Sequence, residues 1–162
     1  MKKRTAFLCI GGNLGEREAN LEETIMFLEF NFGDVLEVSS IYESDAWEMT
    51  DAPAFLNQVV KIETTLTNEE LIAEILDLEE FYGRERSEEE YLSREMDVDI
   101  LLIDEEVIDT PELSVPHPRM HLRSFVLTPL AELAGDVVHP VLKKSISELL
   151  KECPDKSVVR KK

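Results

Sequence analysis

The sequence predicts an α+β domain. Strand-like and helix-like apolar patterns alternate in the order strand, helix, strand, strand, helix, strand, with further helices towards the C-terminal end. Most of the switches carry a punctuating residue, either a glycine or a helix-capping pair, and no internal repeat or low-complexity tract interrupts the series.

Ala6 to Ile10 is a short apolar run closed by Gly11-Gly12, which reads as a buried strand ended by a tight turn. Glu16 to Phe32 carries Ala19, Ile25, Met26, Leu28 and Phe32 among acidic residues, a pattern that suits an amphipathic helix stopped at Gly33-Asp34. Val35 to Tyr42 alternates in part and favours a strand, and the polar stretch Glu43 to Pro53 reads as a loop. Phe55 to Leu66 is the next strand. Thr67 and Glu70 then offer a capping box for a helix through Leu71, Ile72, Ile75, Leu76, Leu78 and Phe81, ended by Gly83. Arg84 to Glu95 is charged and irregular, Met96 to Ile103 is an apolar strand interrupted by two aspartates, and Phe125 to Ala134 and Ser145 to Leu150 look helical. Two split βαβ units in this order build a four-stranded antiparallel core of ferredoxin-like topology (βαββαβ). The added C-terminal helices make a three-layer αβα arrangement. Such a topology hosts many functions and selects none.

The 162 residues fit one compact domain, and 43% hydrophobic residues are enough for a real core. A formal net charge of −18 argues against nucleic acid or an anionic membrane as partner, since both need a basic surface. A small phosphorylated ligand needs only a local basic pocket and stays open. No apolar run approaches the ~20 residues of a membrane span, and Cys9 and Cys153 lie in no metal or redox spacing. The expectation is a cytoplasmic protein in a reducing compartment.

Asp97-Val98-Asp99-Ile100-Leu101-Leu102 is the sharpest local feature. Alternation along a strand points Asp97 and Asp99 to one face and Val98 and Ile100 to the other. Two carboxylates on one face of an apolar strand repel unless cations neutralise them, and Mg²⁺ takes one or two carboxylates beside phosphate oxygens. A strand end facing solvent, or pairing with arginine, fits the same pattern. Between Lys61 and Lys143 all the basic residues are arginines or histidines, among them Arg84, Arg86, Arg94, Arg119 and Arg123. Guanidinium forks suit phosphate, although the many glutamates nearby offer rival partners. His117, stiffened between Pro116 and Pro118, suits either a phosphate or a backbone carbonyl. Asn57 is a polar residue in an apolar strand and needs a partner if buried, whether a flat ligand or a backbone group.

Taken in order, Gly11-Gly12-Asn13-Leu14, Val38-Ser39-Ser40-Ile41-Tyr42, Phe55-Leu56-Asn57, Gly83-Arg84-Glu85-Arg86, Asp97 to Leu101 and Pro116 to Phe125 resemble the 6-hydroxymethyl-7,8-dihydropterin pyrophosphokinases. The resemblance covers Ala6 to Leu150. It implies one pyrophosphokinase domain over 1–162, with ATP as co-substrate and two Mg²⁺ ions held by Asp97 and Asp99. It implies that Arg86, Arg94, His117 and Arg123 contact ATP, with Ile100 also at the nucleotide, and that Arg86, Arg94, Asp97 and Asp99 form the catalytic set. Phe55 and Phe125 would stack on the two faces of the pterin. Asn57, Ser44 and the backbone of Asp45 and Trp47 would hydrogen-bond its edge. The pterin hydroxyl would attack the β-phosphorus and expel AMP, in a cytoplasmic monomer whose partners are pterin and ATP. Tyr91 to Asp97 and Ala46-Trp47-Glu48 depart from the family's usual segments. A binding module without catalysis and a ligand-free interaction domain are the rival readings. Paired metal carboxylates argue against the first, and the arginine-lined segment argues against the second.

Overall fold

The computed structural model describes residues 2–45, 53–83 and 96–162. The elements in chain order are β1 (Arg4–Gly12), α1 (Arg17–Asn31), β2 (Asp34–Val38), β3 (Tyr42–Ser44), β4 (Phe55–Thr64) and α2 (Asn68–Phe81). They continue as β5 (Asp97–Ile103), β6 (Ile108–Asp109), β7 (Ser114–Val115), α3 (Ser124–Ala134), α4 (Ile146–Glu152) and β8 (Val159–Lys161). A single 3₁₀ turn, Met120–Leu122, precedes α3.

Alternation along β1 divides the interior in two. Ala6, Leu8 and Ile10 pack under α1 and α2 with Leu21, Leu28, Leu71 and Leu78. Phe7 and Cys9 pack on the other side with Val126, Leu127 and Leu130 of α3 and Ile146 and Leu149 of α4. The molecule is therefore an antiparallel sheet between two helical layers. Strands run β5-β1-β4-β3-β8, and β2 pairs β4 as well. In β5 the register shifts opposite Phe7 and Leu8, so that Leu101 and Leu102 both turn towards α3 and α4 while Ile103 returns to the first core.

Local chemistry explains the boundaries. The Thr67 hydroxyl accepts the Glu70 N–H at 3.2 Å and the Glu70 carboxylate accepts the Thr67 N–H at 2.9 Å, so the expected capping box starts α2. A second one, Ser145 with Glu148, starts α4. Gly83, at φ 72°, follows the end of α2.

Three expectations need correction. β1 runs on through Gly11 and ends on Gly12, rather than ending before the pair. The predicted strand Val35 to Tyr42 splits in two at buried Ser39, whose hydroxyl takes the Val59 N–H at 2.9 Å in place of a backbone carbonyl and breaks the ladder. The sheet has six strands rather than four, because of that split and because β8 adds to the edge at β3. Among the described residues no helix is long and apolar enough to cross a membrane.

Candidate active site

Strand pairing sets Asp97, Gly11, Asn57 and Tyr42 in one cross-strand row, and Asp99, Cys9 and Val59 in a neighbouring one. Directly opposed residues share a face, so both aspartates, Asn57, Tyr42 and the opposed pair Ser44 and Phe55 project towards the α3 layer. The expected common face of Asp97 and Asp99 is therefore present. The side chain of Ile100 packs in the opposite core, so any nucleotide contact from this residue would have to come from its backbone.

Asn57 is 8% exposed. Among the described residues its amide nitrogen donates to the Cys9 sulfur at 3.9 Å and its carbonyl oxygen has no hydrogen-bond partner. A buried acceptor left in this state costs roughly 1–3 kcal/mol, which a ligand N–H would recover. Gly11 makes room for it: a Cβ there would collide with the Asn57 amide and lie 2.5 Å from the Leu56 oxygen. The glycine that looked like a turn residue is instead a gap in the sheet face between Asp97 and Asn57. Burial, and then the charges of Asp99 and Asp97, push the Cys9 thiol far up, so it stays protonated.

The loop before α3 brings in the basic groups. The His117 N–H donates to the Leu101 oxygen at 2.9 Å, which ties the loop to β5. Nδ1 of His117 accepts the Arg119 N–H at 3.2 Å, which assigns the ring proton to Nε2, and Nε2 lies 3.8 Å from Asp99 Oδ1. Burial lowers the His117 pKa to about 4, helped by the Arg123 guanidinium and only partly opposed by Asp97, so the ring is a neutral N–H donor at pH 7. On the first turn of α3, half-buried Phe125 has the Arg123 guanidinium 5.7 Å from its ring centre. Ser44 is buried and Asp45 exposed at the end of β3. Arg86, Arg94 and Trp47 lie outside the described residues, as does the whole segment 84–95.

Among the described residues no cluster of three or more His, Cys, Asp or Glu side chains could hold a metal. The donors present are a carboxylate pair, and this fits Mg²⁺, which completes its shell with phosphate oxygens and water rather than with a protein cage.

Two contributors were given no role of their own in the sequence. Asn13 is fully buried and donates to the Pro53 oxygen at 3.2 Å. Arg17 donates to the Ala54 oxygen at 2.8 Å and pairs with Glu43 at 3.2 Å. Both hold the chain just before Phe55. Asn13 is the polar residue after Gly11-Gly12 and carried a signal, whereas Arg17 looks like any charge on an amphipathic helix.

The model of the 7,8-dihydro-6-hydroxymethylpterin-pyrophosphokinase (HPPK) family matches residues 7–135. The chain is similar to the 2-amino-4-hydroxy-6-hydroxymethyldihydropteridine pyrophosphokinase of Aquifex aeolicus (strain VF5), at 38% identity over 148 residues and 91% of each chain. It is 42% identical to the protein of that name from Bacillus subtilis (strain 168), over 82% of this chain and 79% of the relative. It also matches the folic acid synthesis protein fol1 of Pneumocystis carinii at 35% identity, over 94% of this chain but only 20% of that protein. Among solved structures, a Plasmodium falciparum HPPK-DHPS superposes with a TM-score of 0.75 at 16% identity, over 93% of this chain and 45% of that one, a likeness of fold. With a family match across most of its length and relatives of similar size, the chain belongs to the 7,8-dihydro-6-hydroxymethylpterin-pyrophosphokinase family.

Proposed function

We infer that the protein transfers diphosphate from ATP to 6-hydroxymethyl-7,8-dihydropterin, giving AMP and the pterin diphosphate in folate synthesis, as its relatives' names describe. The observation that carries this reading is the buried carbonyl of Asn57, without a partner among the described residues, in the same cross-strand row as Asp97 with Gly11 between them. Two strand spacings separate the ends of that row by roughly 10 Å. A bicyclic ring held at Asn57 can therefore carry its hydroxymethyl arm towards the carboxylates.

In this reading the Asn57 oxygen accepts a ring N–H, with Ser44 and the backbone of Asp45 and Trp47 completing the edge. Phe55 and Phe125 cover the two ring faces and exclude water. Asp97 and Asp99 would hold two Mg²⁺ ions, which when bound neutralise charge on the triphosphate. His117 Nε2–H and Arg123 donate to phosphate oxygens. Arg86 and Arg94 complete the phosphate clamp. The hydroxyl oxygen forms a bond to the β-phosphorus as the bond from that phosphorus to the α-phosphate oxygen breaks, AMP leaves with that oxygen, and the hydroxyl proton passes to water. Such a displacement needs alignment and charge neutralisation more than a strong base.

The strand order β5-β1-β4, with β2 and β3 outside it, supports a ferredoxin-like βαββαβ core. We also take residues 1–162 as one domain acting as a monomer, and the unpaired Cys9 and Cys153 support a reducing cytoplasm. The test is turnover of ATP with Mg²⁺, with and without the pterin, resolving the nucleotide products. Pterin-dependent AMP is expected. Pterin-dependent ADP would reject the reading, and pterin binding without turnover would favour a binding module.

A further inference from the structure

Residues beyond the family match, which ends at residue 135, touch both walls of the site. Asp155 Oδ2 accepts both the backbone N–H and the hydroxyl of Ser124, each at 3.1 Å, and so caps the first turn of α3, whose own N-cap residue Arg123 makes no side-chain cap. That turn carries Phe125. Ser157 N–H donates to the other oxygen of Asp155 at 2.9 Å and starts the chain towards the sheet edge. There β8 pairs antiparallel with β3, setting Arg160 opposite Glu43 and Val159 opposite Ser44. Arg160 then reaches Asp45 at 3.2 Å and Glu43 at 3.5 Å, and the Lys162 N–H donates to the Ile41 oxygen at 2.8 Å.

We propose that residues 155–162 are a clasp whose positioning residues, Asp155 and Arg160, hold the Phe125 turn of α3 and the Ser44–Asp45 end of β3 at the separation the pterin requires. The proposal rests on the functional reading above. The clasp is not needed to fill the core: no residue after Cys153 is buried, and the side chains of β8 are half-buried or exposed. Each exposed ion pair contributes little by itself. The backbone ladder, the Asp155 cap and the paired charges act as one strap because they lie on eight consecutive residues. Without the strap, the two walls remain folded but sample wider separations. If the competent separation falls to ~10–20% of the population, the apparent dissociation constant for the pterin rises about five- to tenfold. The nucleotide side, built on β5 and the loop at His117, stands at the opposite end of the strand order from β8 and keeps its affinity.

The experiment deletes residues 158–162. Pterin is titrated into wild type and the deletion variant, both saturated with Mg²⁺ and an α,β-methylene analogue of ATP. The analogue itself is titrated separately. The expected result is about a five- to tenfold weaker pterin with the analogue changed less than twofold. Equal weakening of both ligands, or an unchanged pterin affinity, overturns the clasp. If the deletion variant fails to fold, Arg160→Glu carries the same test, since it sets a carboxylate against Glu43 and Asp45 on the surface. It should weaken the pterin selectively, by roughly threefold. Wild type that binds no pterin at all refutes the functional reading instead, so the two failures are distinct.

Discussion

Gly11→Ala tests the sheet face more sharply than any charged substitution. The added Cβ would sit 2.5 Å from the Leu56 oxygen, where an ordinary contact is 3.4–4 Å, and would collide with the Asn57 amide. Leu56 lies on β4, which is paired on one side by β1 and on the other by β3, so its backbone has little room to retreat. The clash with the Leu56 oxygen therefore remains as strain, and the Asn57 side chain is the part that can turn aside. Overpacking of this kind costs about 1–3 kcal/mol, and at roughly 2–4 °C per kcal/mol for a chain of this size the melting temperature should drop measurably. Turning Asn57 out of line also removes one ligand hydrogen bond of about 1 kcal/mol, a roughly fivefold loss of pterin affinity. Thermal denaturation and pterin titration measure the two effects. In Gly11→Ala/Asn57→Ala the collision with the amide is gone, so the losses should fall short of additivity by about 1 kcal/mol. A Gly11→Ala protein with wild-type melting temperature and wild-type pterin affinity would refute the reasoning, because the gap would then have no structural purpose.

Asp97→Asn and Asp99→Asn should each lower turnover by ~10² or more at saturating Mg²⁺ while thermal denaturation stays close to wild type; near-normal rates would count against the carboxylate pair as metal ligands. Phe125→Ala should cost the pterin roughly 1–3 kcal/mol of binding and the nucleotide far less, and equal losses would return Phe125 to a packing role. Glu132 of α3 accepts the Tyr42 hydroxyl at 2.7 Å and the Ser40 N–H at 2.9 Å. Burial works to raise its pKa, but these bonds outweigh it and hold the folded value below the usual 4.5. The unfolded chain then binds its proton first, so Glu132 contributes stability above pH ~4.5 that is lost as pH falls through the lower folded value. Glu132→Gln should flatten that part of the acid denaturation profile; an unchanged profile would show that the bonds do not carry it.

The sequence by itself determined the elements whose causes are local. Period-2 alternation placed Asp97 and Asp99 on one face of β5, and the Thr67 and Glu70 pair started α2, because both depend only on neighbouring residues. The ordered motifs named the family, which the relatives bear out. Tertiary structure decided what depends on contacts distant in the chain. Gly11 reads as a turn until Asn57, 46 residues later, is seen to occupy the space its side chain would need. Ser39 breaks a strand because Val59 takes its hydroxyl as an acceptor. Three residues, Val159 to Lys161, have too little apolar pattern to announce a strand, and they become one because β3 offers an edge to pair with. The polarity of Asn57 was legible, but that its oxygen finds no donor among the described residues follows from how β1 and β4 close around it, and so only the folded chain shows where a ligand is wanted.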